Sequence, residues 1–170
     1  MFLLGLGSNL SSSFGNRFEN IDLAVSNLES YKIKIINKSS FYETPSYPDI
    51  KNPKFINIVV EISTYLLPED LASVLIFIEE KLERKRKKKN EPRTCDIDII
   101  DYDGKVMNFS YKSLIFKVPH EKLIYRNFVL FPLQEITPNW IHPITKDSID
   151  VLINNLSNED KKSILKIKKS

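Results

Sequence analysis

The segment Cys95-Asp96-Ile97-Asp98-Ile99-Ile100-Asp101-Tyr102 constrains the fold of this chain more than any other. Charged and apolar residues alternate through its first half, the period of a strand with one face in a core. Ile97 and Ile99 then point inward together. Asp96 and Asp98 project from the opposite face, about 6.6–6.8 Å apart along the chain. Asp103-Gly104 follows directly and reads as a hairpin turn.

The remaining pattern supplies partners for that strand. Phe2–Leu6 is a short apolar strand running into the turn Gly7-Ser8-Asn9. Ile21, Val25 and Leu28 recur at helical spacing between Arg17 and Ser30. Ile33–Phe41 and Phe55–Ser63 read as strands. Pro68, Glu69 and Asp70 open a second helix, with acidic groups where its dipole favours them. Its core face is Leu71, Val74, Leu75, Ile78 and Leu82. Beyond Pro119 the signals weaken to the apolar run Phe128–Leu133 and one or two helices in the last thirty residues. The chain has no internal repeat, no long linker and no glycine-rich nucleotide loop. These features favour an α+β sandwich in one domain, residues 1–170, over a doubly wound parallel sheet.

Composition narrows the function classes. No apolar run approaches the roughly 20 residues that cross a bilayer, and Met1–Leu6 is too short for a secretory signal, so a soluble, cytoplasmic protein without a membrane partner is expected. The one cysteine, Cys95, cannot form an internal disulfide and, with two histidines, makes a structural zinc site a poor fit. The net charge is +3, yet Arg84–Lys89 alone carries +6 and leaves the rest at −3. A cationic patch that local suits an anionic ligand, either a polyphosphate or nucleic acid.

The chemistry concentrates around the alternating strand. An isolated Asp-x-Asp is usually the wet face of an edge strand. Here Arg93 stands three residues before Asp96, and Arg84 and Arg86 lie just upstream. Carboxylates that can hold Mg²⁺ beside guanidinium groups are the requirement of a polyphosphate: hard cations between phosphates and bidentate donors around them. Phe41-Tyr42-Glu43-Thr44-Pro45, Tyr47, Phe55 and Asn57 place aromatic rings and an amide where a flat heterocycle could be stacked and read. His120 and Arg126 can donate to phosphate oxygens. His142, in an Ile-His-Pro turn, is assigned no role.

These residues, taken in order, resemble the 6-hydroxymethyl-7,8-dihydropterin pyrophosphokinases. The matching elements are Gly5-Leu6-Gly7-Ser8-Asn9-Leu10, Ser40–Pro45, Phe55-Ile56-Asn57, Ile78-Glu79 with Arg84 and Arg86, Pro92–Ile99, Val118-Pro119-His120, and Arg126-x-Phe128-Val129-Leu130-x-Pro132-Leu133. They span about residues 3–143, followed by a helical tail over 144–170. The resemblance implies a ferredoxin-like, mostly antiparallel α+β fold and a monomer. It implies transfer of pyrophosphate from ATP to 6-hydroxymethyl-7,8-dihydropterin, with two Mg²⁺ ions. Asp96 and Asp98 would ligate the metals, and Asp96 would also lie near the pterin hydroxyl. Arg84, Arg86, Arg93, Ile99, His120 and Arg126 would contact ATP, Arg84 and Arg93 also acting in catalysis. Thr44, Pro45, Tyr47, Phe55, Asn57 and Phe128 would line the pterin pocket.

Three departures from the family pattern stand out. Lys87–Glu91 has lysines where an arginine and a tryptophan beside a glycine are common, Glu83 replaces a usual glycine, and Glu121 replaces an aromatic residue after the histidine. Two rival readings remain at this point. An RNA-binding module would want exposed sheet aromatics in a Lys/Arg-Gly-Phe/Tyr pattern, which this chain lacks. The other is an inactive scaffold or one part of a fused folate enzyme.

Overall fold

The computed structural model describes residues 1–86 and 90–169. Its elements run β1 (Phe2–Ser8), α1 (Arg17–Ser30), β2 (Lys34–Lys38), β3 (Phe41–Thr44), β4 (Phe55–Ser63), α2 (Pro68–Lys81), β5 (Asp96–Tyr102), β6 (Met107–Tyr111), β7 (Leu114–Val118), α3 (Asn127–Ile136), α4 (Ile149–Asn154), α5 (Asn158–Ser163) and β8 (Leu165–Ile167). The main sheet has the order β5-β1-β4-β3-β8, with β2 also paired to β4. Every pairing in it is antiparallel. With α1 and α2 as its two crossovers, this is the expected ferredoxin-like α+β arrangement.

Local chemistry explains the helix ends. The Asn16 side chain accepts from the Phe18 and Glu19 N–H groups, and Glu19 returns the favour to the Asn16 N–H, a complete capping box for α1. At the end of α2 the Arg84 N–H reaches back to the Glu79 carbonyl at 3.0 Å while Glu83 takes φ +66°. That left-handed position normally favours glycine, the residue that the resemblance leads one to expect there. In this chain the Glu83 carboxylate accepts from the Ser13 N–H and hydroxyl, tying it to the loop after β1.

The sheet is covered on both faces. Leu4, Leu6, Ile58, Val60, Ile97 and Ile99 pack with Ile21, Leu28, Leu75 and Ile78 of α1 and α2. On the other face Leu3, Val59 and Ile100 meet Leu130 and Leu133 of α3, and Ile149 and Leu152 of α4. A shift of register between Leu3 and Leu4 of β1 lets β5 skip Ile100, whose neighbours Ile99 and Asp101 pair with Leu4 and Leu3. Ile100 faces α3 by simple alternation from Asp96 and Asp98, and the bulge brings Asp101, paired with Leu3, onto the same face. Asp101 accepts there from the Trp140 Nε1–H at 2.7 Å.

Three details differ from the sequence expectation, and one run that carried no assignment receives one. The strand expected over Ile33–Phe41 is two, β2 and β3. At the break the Ser39 hydroxyl accepts from the Val59 N–H, and its own N–H donates to the Val59 carbonyl. Asp103-Gly104 does turn the chain, but β6 pairs with β7 rather than with β5. The β6–β7 hairpin closes at Lys112-Ser113, both at positive φ. That is primed-turn geometry without the usual Asn or Gly to announce it. The run Phe128–Leu133 belongs to a helix, α3. Finally, the tail holds the expected helices α4 and α5 but ends in β8, which pairs with β3 at Phe41–Glu43.

Leu130 is fully buried at the centre of the α3 face. Leu130→Ala is expected to cost about 2–5 kcal/mol in urea unfolding, through lost transfer energy and the cavity left behind. A loss below about 1 kcal/mol would mean that α3 is not packed as described.

Candidate active site

Strand register assembles the candidate site. Gly7 pairs with Asp96 of β5 on one side and Asn57 of β4 on the other, and Asn57 pairs in turn with Tyr42 of β3. Directly paired residues share a face, so these four form one row across the sheet. One step along β1, Gly5 lies between Asp98 and Val59. Toward Gly7 the face packed by α3 gives up apolar side chains and carries Asp96, Asp98, Asn57 and Thr44. Gly7 is required by close approach: a Cβ there would stand 2.9 Å from Asn57 Oδ1 and 3.6 Å from the Phe55 ring. Asn57 donates from Nδ2 to the Thr44 hydroxyl at 3.1 Å, both residues being buried.

Around Asp96 the charges interlock. Arg84 contacts Asp96 Oδ1 at 2.5 Å, and Arg93 contacts Oδ2 at 2.6 Å. Arg84 and Arg86 both also bond Glu79, a buried carboxylate on the last turns of α2. Glu79 Oε1 accepts from the Ile97 N–H at 2.7 Å, fastening α2 to the first residues of β5. Burial raises the Glu79 pKa to about 7, with Arg84 and Arg86 pulling against it. For Asp96, burial pushes upward as well, but Arg93 and Arg84 prevail and hold it below the ordinary carboxylate range. The Arg93 guanidinium lies over the Phe55 ring, 4.9 Å from its centre, and its Nε is buried without a hydrogen-bond partner among the described residues.

Asp98 has a different setting. Its side chain is 45% exposed and faces Arg126 at 3.3 Å. The protein walls of the cleft, and then the Asp96 carboxylate, raise its pKa. Arg126 also stands 3.3 Å from His120 Nε2. His120 Nδ1 accepts from the Lys122 N–H at 3.0 Å, which places the ring proton on Nε2 in the neutral tautomer. Two donors, His120 Nε2–H and Arg126, thus converge on the space in front of Asp98, where an anionic oxygen would satisfy both.

Two cavities meet at these residues. One, of about 220 Å³, is walled by Leu75, Ile76 and Ile99 and by Leu114–Val118 of β7, and reaches Asp96 and Asp98. The other, of about 400 Å³, is ringed by Arg84, Arg86, Arg93, His120 and Arg126 around the same two carboxylates. The first offers an apolar slot and the second a cationic basin. Among the described residues no cluster of three or more His, Cys, Asp or Glu side chains could hold a metal. Two carboxylates on one strand face, with a cationic basin beside them, are a donor set that suits a hard cation taking its remaining ligands from phosphate and water, as Mg²⁺ does.

The structure brings together most of the residues singled out from sequence. Arg84, Arg86, Arg93, Asp96, Asp98, His120 and Arg126 share the basin, and Ile99 lines the apolar slot. Thr44, Phe55 and Asn57 adjoin it, and Phe128 lies under the Arg126 guanidinium. Pro45 and Tyr47 sit apart on an exposed loop, Tyr47 at 85% exposure. Lys87–Lys89 fall outside the described residues. Glu121 pairs with Lys117 at the surface. Two contributors went unassigned in the sequence. Glu79 had a visible signal, a carboxylate in helical register with core residues Leu75 and Leu82. The apolar wall from β7 had none, because its approach to β5 depends on the hairpin.

Comparison with known proteins bears on this geometry. The family model for 7,8-dihydro-6-hydroxymethylpterin-pyrophosphokinase matches residues 3–138. A 2-amino-4-hydroxy-6-hydroxymethyldihydropteridine pyrophosphokinase of Aquifex aeolicus is 38% identical over 141 residues, covering 83% of this chain and 82% of that protein. The folic acid synthesis protein fol1 of Pneumocystis carinii is 35% identical over 162 residues, which cover 95% of this chain but 21% of that longer protein. Among solved structures, Plasmodium falciparum HPPK-DHPS A437G with pteroate superposes with a TM-score of 0.78 at 16% identity, over 99% of this chain and 46% of that one. At that identity the likeness speaks for the fold alone. No helix among the described residues is long and apolar enough to cross a membrane.

The His120 setting makes a pH prediction. Burial, and then Arg126, lower its pKa from 6.5 to about 4. A depressed histidine binds fewer protons folded than unfolded, so its share of stability is complete above pH 6.5 and is lost as pH falls toward 4. Ring ¹⁵N NMR at pH 5.5 should find His120 neutral with the proton on Nε2. A protonated ring at that pH would contradict the lowered pKa, and a neutral ring with its proton on Nδ1 would contradict the Nε2–H tautomer.

Proposed function

This chain belongs to the 7,8-dihydro-6-hydroxymethylpterin-pyrophosphokinase family, and on that premise we propose that it transfers pyrophosphate from ATP to the hydroxymethyl group of 6-hydroxymethyl-7,8-dihydropterin, releasing AMP, in folate biosynthesis. The observation that carries the reading is the Asp96–Asp98 pair ringed by arginines and standing one strand from the Asn57–Thr44 amide–hydroxyl pair. One carboxylate pair thereby faces both a polyphosphate basin and a pocket edge able to read a heterocycle.

Asp96 and Asp98 would hold two Mg²⁺ ions, which when bound supply charge neutralisation across the phosphates. Arg84, Arg86 and Arg93, now spent on Glu79 and Asp96, exchange carboxylate for phosphate oxygens as the nucleotide enters. His120 Nε2–H and Arg126 donate from the opposite wall. The adenine enters the apolar slot beside Ile99. Asn57 and Thr44 read the pterin edge, and Phe55 and Phe128 cover its faces, with Pro45 and Tyr47 closing over from their loop. The hydroxymethyl oxygen attacks the β-phosphorus, and its proton passes to water as the new O–P bond forms. The bond from that phosphorus to the bridging oxygen of the α-phosphate breaks, and AMP departs with that oxygen and the electron pair. Asp96 lies near the hydroxyl, but its lowered pKa makes it a weak base, so alignment and charge neutralisation carry the rate. ATP consumption and a buried free thiol at Cys95 suit a cytoplasmic enzyme, working as a monomer on small-molecule substrates. A nucleic-acid partner fits less well, since a sheet face bearing Asp96 and Asp98 repels phosphodiesters.

The decisive assay is AMP release from ATP and Mg²⁺ with and without 6-hydroxymethyl-7,8-dihydropterin. Pterin-dependent AMP without ADP is expected, and Asp96→Ala and Asp98→Ala should each reduce it by roughly 10²–10³-fold or more with the circular dichroism unchanged. Near-normal turnover in either variant would refute the assigned roles.

Gly7→Ala tests the pocket separately. Its Cβ must displace the Asn57 amide, so pterin affinity should fall about tenfold, the equivalent of one lost hydrogen bond. Binding of a non-hydrolysable ATP analogue should be retained. Unchanged pterin affinity would remove Asn57 from the pocket.

A further inference from the structure

The segment Gly7-Ser8-Asn9, where β1 ends, contains a side chain that the proposed chemistry leaves unused. Asn9 is 2% exposed and stands immediately after β1. Its Oδ1 accepts from the Arg93 N–H at 2.7 Å. Its Nδ2 donates to the Ser46 hydroxyl at 3.2 Å and to the Pro53 carbonyl at 3.0 Å. The backbone N–H groups of Asn9 and Leu10 both return to the Arg93 carbonyl, at 3.0 and 3.2 Å. Ser46 itself donates to the Pro53 carbonyl at 2.6 Å, closing the base of the 46–53 loop.

One buried amide therefore joins three segments distant in sequence. The 46–53 loop is flanked by Thr44 and Phe55, on the heterocycle side. Arg93 reaches Asp96 and lies over Phe55, on the polyphosphate side. No other side-chain amide among the described residues bonds to both segments.

We propose that Asn9 is a positioning residue that holds the pterin half-site in register with the polyphosphate half-site. This rests on the pyrophosphokinase reading for its kinetic consequence, but not for the structural tie. Each half-site keeps its own binding groups without Asn9, because Asn57, Thr44 and the arginines have other supports. What the amide sets is their separation, and in-line attack on phosphorus tolerates little error in that: a misplacement of about 1 Å can cost roughly 100-fold.

Asn9→Asp separates the two ties. The aspartate keeps an acceptor for the Arg93 N–H but sets an oxygen against the Pro53 carbonyl, where the donor stood. Three readouts are compared with wild type: amide hydrogen exchange over 44–54 and at Arg93, equilibrium binding of α,β-methylene-ATP and of the pterin, and single-turnover AMP formation. The expected result is exchange at least tenfold faster over 44–54 with Arg93 still protected. Both ligands should bind within about threefold of wild type, and the turnover rate should fall roughly 100-fold.

Ser46→Ala, which removes one partner of the same amide, guards against a variant that fails to fold. It should lower turnover about five- to tenfold, with nucleotide binding unchanged. Unaltered exchange over 44–54 in Asn9→Asp would overturn the tie itself. Wild-type turnover, or a rate loss matched by equal loss of binding for both ligands, would overturn the positioning role and leave Asn9 a stabiliser. A wild-type protein that forms no pterin-dependent AMP would instead sink the pyrophosphokinase reading, while the exchange result still decides the tie.

Discussion

The arrangement of the site depends on one buried carboxylate. Glu79 stands at the end of α2, takes both Arg84 and Arg86, and accepts the backbone N–H of Ile97. Withdrawing a carboxylate from water costs several kcal/mol unless charged partners surround it, and here two guanidiniums and an amide do so. The chain after α2 is thereby folded back along β5, and the arginines are aimed at Asp96. Without Glu79, three elements that meet at the site would share no polar anchor. The same carboxylate bridges the two guanidiniums and offsets the repulsion of their like charges.

A second constraint is the unequal use of the two sheet faces. The face against α1 and α2 is largely apolar. The other is apolar only under α3 and α4, and beyond them it carries carboxylates, an amide and a hydroxyl around Gly7. Hydrophobic burial on one half of that face supplies the rigidity that holds polar groups in place on the other half. Glycine at position 7 does not serve a turn here. It leaves space for Asn57 and Phe55 to approach β1, so the width of the pocket edge is set by an absent side chain.

The loops are tied as closely as the strands. Asn9 links the loop after β1 to the segments on either side of it. Ser13 reaches Glu83, across from the end of α2. Glu83 occupies a left-handed position that glycine fills more easily. This chain gives up that ease and gains a contact between the first loop and the base of the cationic segment. The departure at Glu83 is therefore accommodated by a partner close at hand, and it leaves the carboxylate pair and its arginines in place.

Much of this was legible before any coordinates. Alternation in β5 set Asp96 and Asp98 on one face, helical spacing gave α1 and α2, and the charge run located the anionic site. Those signals are short-range: each is a periodicity or a cluster within about ten residues. The β6–β7 hairpin escaped because Lys112-Ser113 carries no turn residue, and β8 because three residues of strand have no period to read. The partners of Glu79 and Asn9 were invisible for a deeper reason. Their hydrogen bonds join residues from 5 to 84 positions apart, and only strand register decides which of those come within 3 Å. Sequence by itself determined α1, α2 and the alternating strand β5, the faces they present, and a local demand for an anionic ligand. The tertiary structure decided that a glycine separates Asp96 from Asn57, and that one amide spans both halves of the site, because contact between distant segments is a property of packing and not of local pattern.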